Sequence, residues 1–128
     1  MGLDANLIRI SGEERQEVAY FRKVNFLHQW VTLHCNGGVE TNCEDVPMNL
    51  EQIAGLAQAC DKVLANPTKG HVELPTTTGF FFGSVEYDEA YLRDISEVLE
   101  ACQRIIALEV EANSHGLPPA RICYWSWW

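Results

Sequence analysis

Two stretches of the chain carry apolar residues at helical spacing, each bracketed by its own start and stop signals, and they set most of what the rest can become. Asn49-Leu50-Glu51-Gln52 has the form of a capping box: the Asn49 side chain can accept from the Gln52 amide while Gln52 reaches back. Ile53, Leu56, Ala57, Cys60 and Leu64 follow three or four residues apart, and Asn66-Pro67 stops the run, which predicts a helix from about Leu50 to Ala65. A second run opens near Tyr87-Asp88-Glu89, with acids in the first turn where the helix dipole favours them. It buries Leu92, Ile95, Leu99, Cys102, Ile105 and Ile106, ends near Asn113, and leaves through the rigid Leu117-Pro118-Pro119. Ser11-Gly12-Glu13-Glu14 reads as another capping box, with Ser11 as N-cap. Phe21, Val24, Leu27, Val31 and Cys35 keep helical spacing as far as Asn36-Gly37-Gly38, so a helix over about 13–35 is predicted.

The remainder is extended or irregular. Leu7-Ile8-Arg9-Ile10 fits a short edge strand. Residues 38–48 hold Gly38, Thr41, Asn42, Asp45 and Pro47, all turn formers. Thr76-Thr77-Thr78-Gly79-Phe80-Phe81-Phe82-Gly83-Ser84 favours extended backbone punctuated by glycine. Ala120 to Trp128 is aromatic and extended, and a segment this apolar is expected to dock on the body or on another subunit. With 128 residues the chain is one domain, 1–128, able to bury a core without staples. The expected class is α+β, mainly helical, with three main helices, short strands and an extended Phe-rich segment. A homo-oligomer is expected.

Nine basic and eighteen acidic residues give a formal net charge of −9. This balance speaks against binding polymeric nucleic acid, which requires neutralising many phosphates. A small anionic ligand is compatible, because two or three placed cations suffice to hold it. Met1 to Asn6 lacks the basic and apolar regions of a secretory signal, and no apolar run approaches a membrane span. Five cysteines, an odd number, read as free thiols in a reducing cytosol. Cys35, Cys43, His34 and His28 fit no closed zinc pattern, so neither a metal nor a cofactor is expected.

Candidate chemistry lies in three places. On a helix, Arg22, Asn25 and Gln29 share a face with His28 beside it, so a donor fork meets amide edges and an imidazole; the blander reading is a wetted polar stripe. The Gly79–Ser84 segment with Tyr87 and Tyr91 supplies stacking walls, or simply core. Asp88, Glu89 and Asp94 could group as carboxylates, although acidic first turns are routine. No Gly-x-Ser-x-Gly elbow surrounds Ser84.

These segments resemble a widespread family of small accessory proteins of tailed bacteriophages. The family's first pattern is aromatic-Arg-Lys-x-Asn-x-aliphatic-His-x-Trp, met by Phe21, Arg22, Lys23, Asn25, Leu27, His28 and Trp30, with Phe21 where Trp is usual. Its second runs from Leu74-Pro75-Thr76 through Gly79-Phe80-Phe81-Phe82-Gly83-Ser84 to Tyr87-Asp88-Glu89, Tyr91 and Asp94. Tyr124, Ser126 and Trp128 meet the terminal pattern, while the first 19 residues look particular to this chain. The resemblance implies a phage immune-evasion protein in the cytoplasm of the infected bacterium. It would sequester, without cleaving, a nucleotide second messenger such as the cyclic dinucleotides of antiphage signalling. Its ligand contacts would be Arg22, Lys23, Asn25, His28 and Ser84, with Phe80, Phe82, Tyr87 and Tyr91 as walls. Two alternatives stand beside it: a nucleotide-degrading hydrolase using His28 and Asp88, and an acidic inhibitor of a host defence enzyme.

Overall fold

The computed structural model describes residues 2–79 and 82–128. Four strands form one antiparallel sheet: β1 (Asp4–Ser11), β2 (Glu14–Arg22), β3 (Asp45–Met48) and β4 (Arg121–Trp127), in the order β2-β1-β4-β3. Four helices accompany it: α1 (Asn25–Cys35), α2 (Leu50–Ala65), the single turn α3 (Gly70–Glu73) and α4 (Glu89–Ser114). The class is α+β. With 48% of the residues helical and 22% in strands, the sheet is a full layer, so the expectation of a mainly helical body on three main helices is corrected.

The correction lies at residues 13–24. Ser11 is not a helix cap; it pairs with Glu14 across the two-residue turn Gly12-Glu13. Gly12 takes φ +61°, the positive value that a tight hairpin turn demands at its first central position. β2 pairs with β1 along its length, with a register shift between Leu7 and Ile8. That shift breaks the alternation a strand would otherwise show in sequence. β1 is interior rather than an edge, because β4 pairs with its other side from Asp4↔Trp127 to Ile10↔Arg121. The aromatic segment is therefore held between β1 and β3.

The two capped helices lie where the sequence places them. Asn49 and Gln52 complete the capping box of α2, Gln52 N to Asn49 Oδ1 at 2.8 Å and Asn49 N to Gln52 Oε1 at 2.9 Å. Asp88 Oδ1 caps α4 by accepting from Tyr91 N at 3.0 Å. In α2 the inward residue of the last turn is Val63, and Leu64 is exposed. One face of the sheet supplies Ala5, Leu7, Phe21, Ile122 and Tyr124 to a core shared with Phe26, Leu27, Ile53, Leu56, Ile95 and Ile105 of the helices. Arg9 reaches through this layer to buried Glu109 of α4, Nε to Oε1 at 2.8 Å, and Glu109 Oε2 accepts from Ala120 N at 3.2 Å, which fixes the approach of β4. The five cysteine thiols are free. No helix among the described residues is long and apolar enough to cross a membrane.

Candidate functional site

The chain turns from β2 into α1 at Lys23, whose φ is +58°, and its amide is tied to Leu3 O at 2.6 Å. A non-glycine residue held there is strained, and such strain persists only where its surroundings enforce it. Opposite lies Gly83, at φ +88°; a Cβ added to it would sit 2.9 Å from Lys23 Cβ. Only glycine fits both the dihedral and the space.

Beside these two residues opens a cleft of about 190 Å³, walled by the β2–α1 junction, described residues of the 76–88 segment and the start of α4. Arg22, Lys23, Asn25, Thr76, Ser84 and Tyr91 line it together with Glu86, Asp88 and Asp94. The structure thus brings together five of the nine predicted contacts: Arg22, Lys23, Asn25, Ser84 and Tyr91. Tyr87 stands beside them with its ring 5.0 Å from that of Tyr91, its hydroxyl accepting from Thr76 N at 3.1 Å. Phe80 lies outside the described residues.

Several of these polar groups already have partners. Asn25, 2% exposed, donates from Nδ2 to Phe82 O at 3.1 Å and Ser84 O at 2.9 Å, and accepts from Thr77 N at 3.1 Å. Three of its four hydrogen-bonding positions hold the Phe-rich loop onto α1. Tyr91 is buried, donates to Leu74 O at 2.8 Å, and packs edge-on against Phe26. Ser84 Oγ accepts from Glu86 N at 3.1 Å. Arg22 is 58% exposed, with Nη1 3.9 Å from Asp4 Oδ1. Lys23 has no ion pair among the described residues.

Asp94 is the unusual acid of the cleft. Burial, reinforced by Glu97 and Asp88 and opposed by Arg93, pushes its carboxyl up to about 6. Loss of hydration disfavours the charged form, and a carboxyl tuned in this way in a cleft is a mark of functional sites.

His28 and Phe82 belong to a different place, behind the loop. His28 is 0% exposed and does not line the cleft. Its Nδ1 lies 3.0 Å from the Tyr124 hydroxyl, and its Nε2 lies 3.3 Å from Glu40 Oε1 without the alignment of a hydrogen bond. Phe82 packs edge-on against both the His28 ring, at 5.2 Å, and the Trp128 ring, also at 5.2 Å. Burial lowers the His28 pKa, and Glu40 opposes it only in part. The neutral tautomer that suits both neighbours accepts from Tyr124 at Nδ1 and carries its proton on Nε2, toward Glu40.

The three motif segments therefore converge in space, but much of the convergence is structural. Sequence reasoning missed Glu40 and the pairing of Lys23 with Gly83. The glycine before Ser84 was the available signal for the second; nothing local marks Glu40, which approaches only because the 36–44 loop folds over His28. Comparison of the chain with protein-family models, with curated proteins and with solved structures returns no match.

Proposed function

We propose that the protein binds a small phosphate-bearing ligand at the Lys23–Gly83 cleft and retains it unchanged. The ligand class we favour is a nucleotide second messenger, withheld from an antiphage defence in the cytoplasm of an infected bacterium. The observation that carries the reading is the strained Lys23, without an ion pair among the described residues, set against Gly83 at the edge of a cleft whose Asn25, Thr76 and Tyr91 side chains are already engaged. Lys23 is then the cation left to meet a phosphate, with the Ser84 hydroxyl beside it, and exposed Arg22, which shares the Tyr20 side of β2 near Asp4, must turn from that carboxylate to join them. Asp94 and Glu86 suit ribose hydroxyls, as carboxylates commonly do at nucleotide sites. A cleft of about 190 Å³ accommodates a phosphate and sugar, leaving a base to lie outward over exposed Tyr87. Holding fits the groups present better than turnover: Asp88 is spent on the α4 cap, and His28 is walled in behind Phe82. A second reading, an acidic inhibitor of a host protein, is favoured by the net charge of −9.

The deciding experiment incubates the protein with cyclic di- and trinucleotides, removes free ligand, heat-denatures the protein and identifies what is released. Intact nucleotide supports sequestration, altered nucleotide means an enzyme, and none leaves the inhibitor reading. Ligand at about 100 times its dissociation constant should stabilise the fold by roughly 2.7 kcal/mol. Arg22→Ala and Lys23→Ala should each weaken binding by on the order of ten- to a hundredfold, the worth of a charge-assisted contact.

A further inference from the structure

Helices cover only one face of the sheet. On the other, Tyr20, Trp127 and Trp125 form a continuous aromatic strip, with ring centroids 6.3 Å apart for Tyr20–Trp127 and 5.0 Å for Trp125–Trp127. Beside it, Ile8, Ile10 and Cys123 make a small apolar cluster separate from the main core, with Trp125 packed on it. The register explains the grouping: Asn6 stands opposite both Tyr20 and Trp125, and Ile8 opposite Cys123. Tyr20 is exposed and Trp125 and Trp127 are half-buried, and an aromatic strip open to solvent in this way marks a contact site.

Its charges say what it contacts. The same register puts Arg15, Arg22 and Arg121 on this face against Asp4, Glu17 and Asp45. Arg15 and Asp45 even bridge the face from β2 to β3, with N–O distances of 3.0 and 3.2 Å. The signs are equal in number, so the whole net charge of −9 lies elsewhere on the chain. The rest of the chain carries the excess of acid, so on this face two copies meet without the net repulsion that the chain as a whole would impose. A two-fold contact needs a patch complementary to itself, and an aromatic centre with balanced charges around it meets that requirement.

The size is also sufficient. Four strands about 4.8 Å apart and about seven residues long at about 3.3 Å each give a flat area of about 450 Å² per copy. With side-chain relief, a pair buries about the 1,000 Å² of total surface at which specific interfaces begin. We infer that the helix-free face of the sheet is the interface of a homodimer, with the Tyr20–Trp127–Trp125 strips of two copies meeting at its centre.

Sedimentation velocity across the micromolar range tests this. A concentration-dependent dimer is expected in the parent. Tyr20→Lys changes a side chain that is 49% exposed, so the melting curve should be retained while dimerisation weakens at least about tenfold, as for a central aromatic contact. Arg121→Glu leaves the aromatic strip intact but unbalances the charges, and should weaken the dimer in a way that added salt partly restores. A parent that stays monomeric throughout overturns the inference, as does a dimer indifferent to both substitutions. A dimer that survives Tyr20→Lys but is lost on Val110→Lys would place the contact on the groove between α2 and α4 instead, and overturns it equally.

Discussion

Asn25 and Ser84, 59 residues apart in sequence, are joined by a 2.9 Å hydrogen bond from the Asn25 side-chain amide to the Ser84 carbonyl. Together with the bonds to Phe82 O and Thr77 N, it makes one buried side chain the fastening of a segment whose described residues form no helix or strand between Pro75 and Tyr87. Stranding buried backbone groups is more costly than never pairing them.

Asn25→Ala should therefore destabilise the protein by about 2–4 kcal/mol, from the partners left unsatisfied and the space left behind. Limited proteolysis should cut first between residues 76 and 86. Urea denaturation indistinguishable from the parent's would show that the loop is held by other means.

Lys23 and Gly83 should respond in opposite directions. Gly83→Ala adds a Cβ into Lys23 at an unfavourable dihedral and should cost about 1–3 kcal/mol. Lys23→Gly relieves a left-handed strain of about 1–2 kcal/mol and loses about 0.5–1 kcal/mol to chain entropy, so it should be at least as stable as the parent. Its thermal shift with any nucleotide that the parent binds should nevertheless collapse. A Lys23→Gly protein that is both less stable and fully ligand-competent contradicts the assignment of that strain to the site.

Two titrating groups should tilt stability in opposite senses with pH. His28 has a folded pKa below its ordinary 6.5, so the unfolded chain takes up the proton first. Its contribution is intact above pH 6.5 and is lost as the pH falls below it. Replacing His28 with Gln should flatten that acid limb. Asp94 is raised from 3.8 to about 6, so its favourable contribution exists below pH 3.8 and is lost as the pH rises through 6. Asp94→Asn should consequently stabilise at pH 7 by about 1–2 kcal/mol after discounting for partial exposure, with no gain at pH 3. A pH-stability profile that is superimposable for parent and both variants refutes these assignments.

The Arg9–Glu109 pair offers a cleaner structural test. Glu109→Ala leaves Arg9 and the Ala120 amide without their acceptor and should cost about 3–5 kcal/mol. The double replacement Arg9→Met, Glu109→Leu should recover most of the loss that is due to the stranded charge, seen as a return of the urea midpoint. A double variant no better than Glu109→Ala would locate the loss at the Ala120 contact alone.

What could be read from sequence was what is encoded locally. Asn49, Gln52 and Asp88 announce α2 and α4 because a cap is made within four residues of the helix it starts. Residues 13–24 misled because Ser11 and Glu14 satisfy a capping pattern and a hairpin turn equally well, and only the pairing with β1 decides between them. The bulge at Val18 then removes the alternation that would have revealed β2. That some of the candidate residues come together was legible from their types, since Arg22, Lys23, Asn25, Ser84 and Tyr91 line one cleft. What spacing could not tell was which of them had spare hydrogen-bonding capacity. The hydrogen-bond partners of Asn25 and His28 lie 52 to 96 residues away.

The strand order has a consequence for biosynthesis. β1 leaves the ribosome well before its partner β4, which begins only at Arg121. At about 5–20 residues per second, roughly 5–20 s of translation separate Ser11 from that strand. Over this interval β1 has only β2 to pair with, and a lone hairpin is marginal in water. Leu7, Ile8 and Ile10 stay open to other nascent chains until residue 127 clears the exit tunnel. The sheet then closes in a single late event, so ribosome-bound chains halted at residue 115 should be cut freely by protease. Resistance at that length would mean that the helices and hairpin hold together without their central strand.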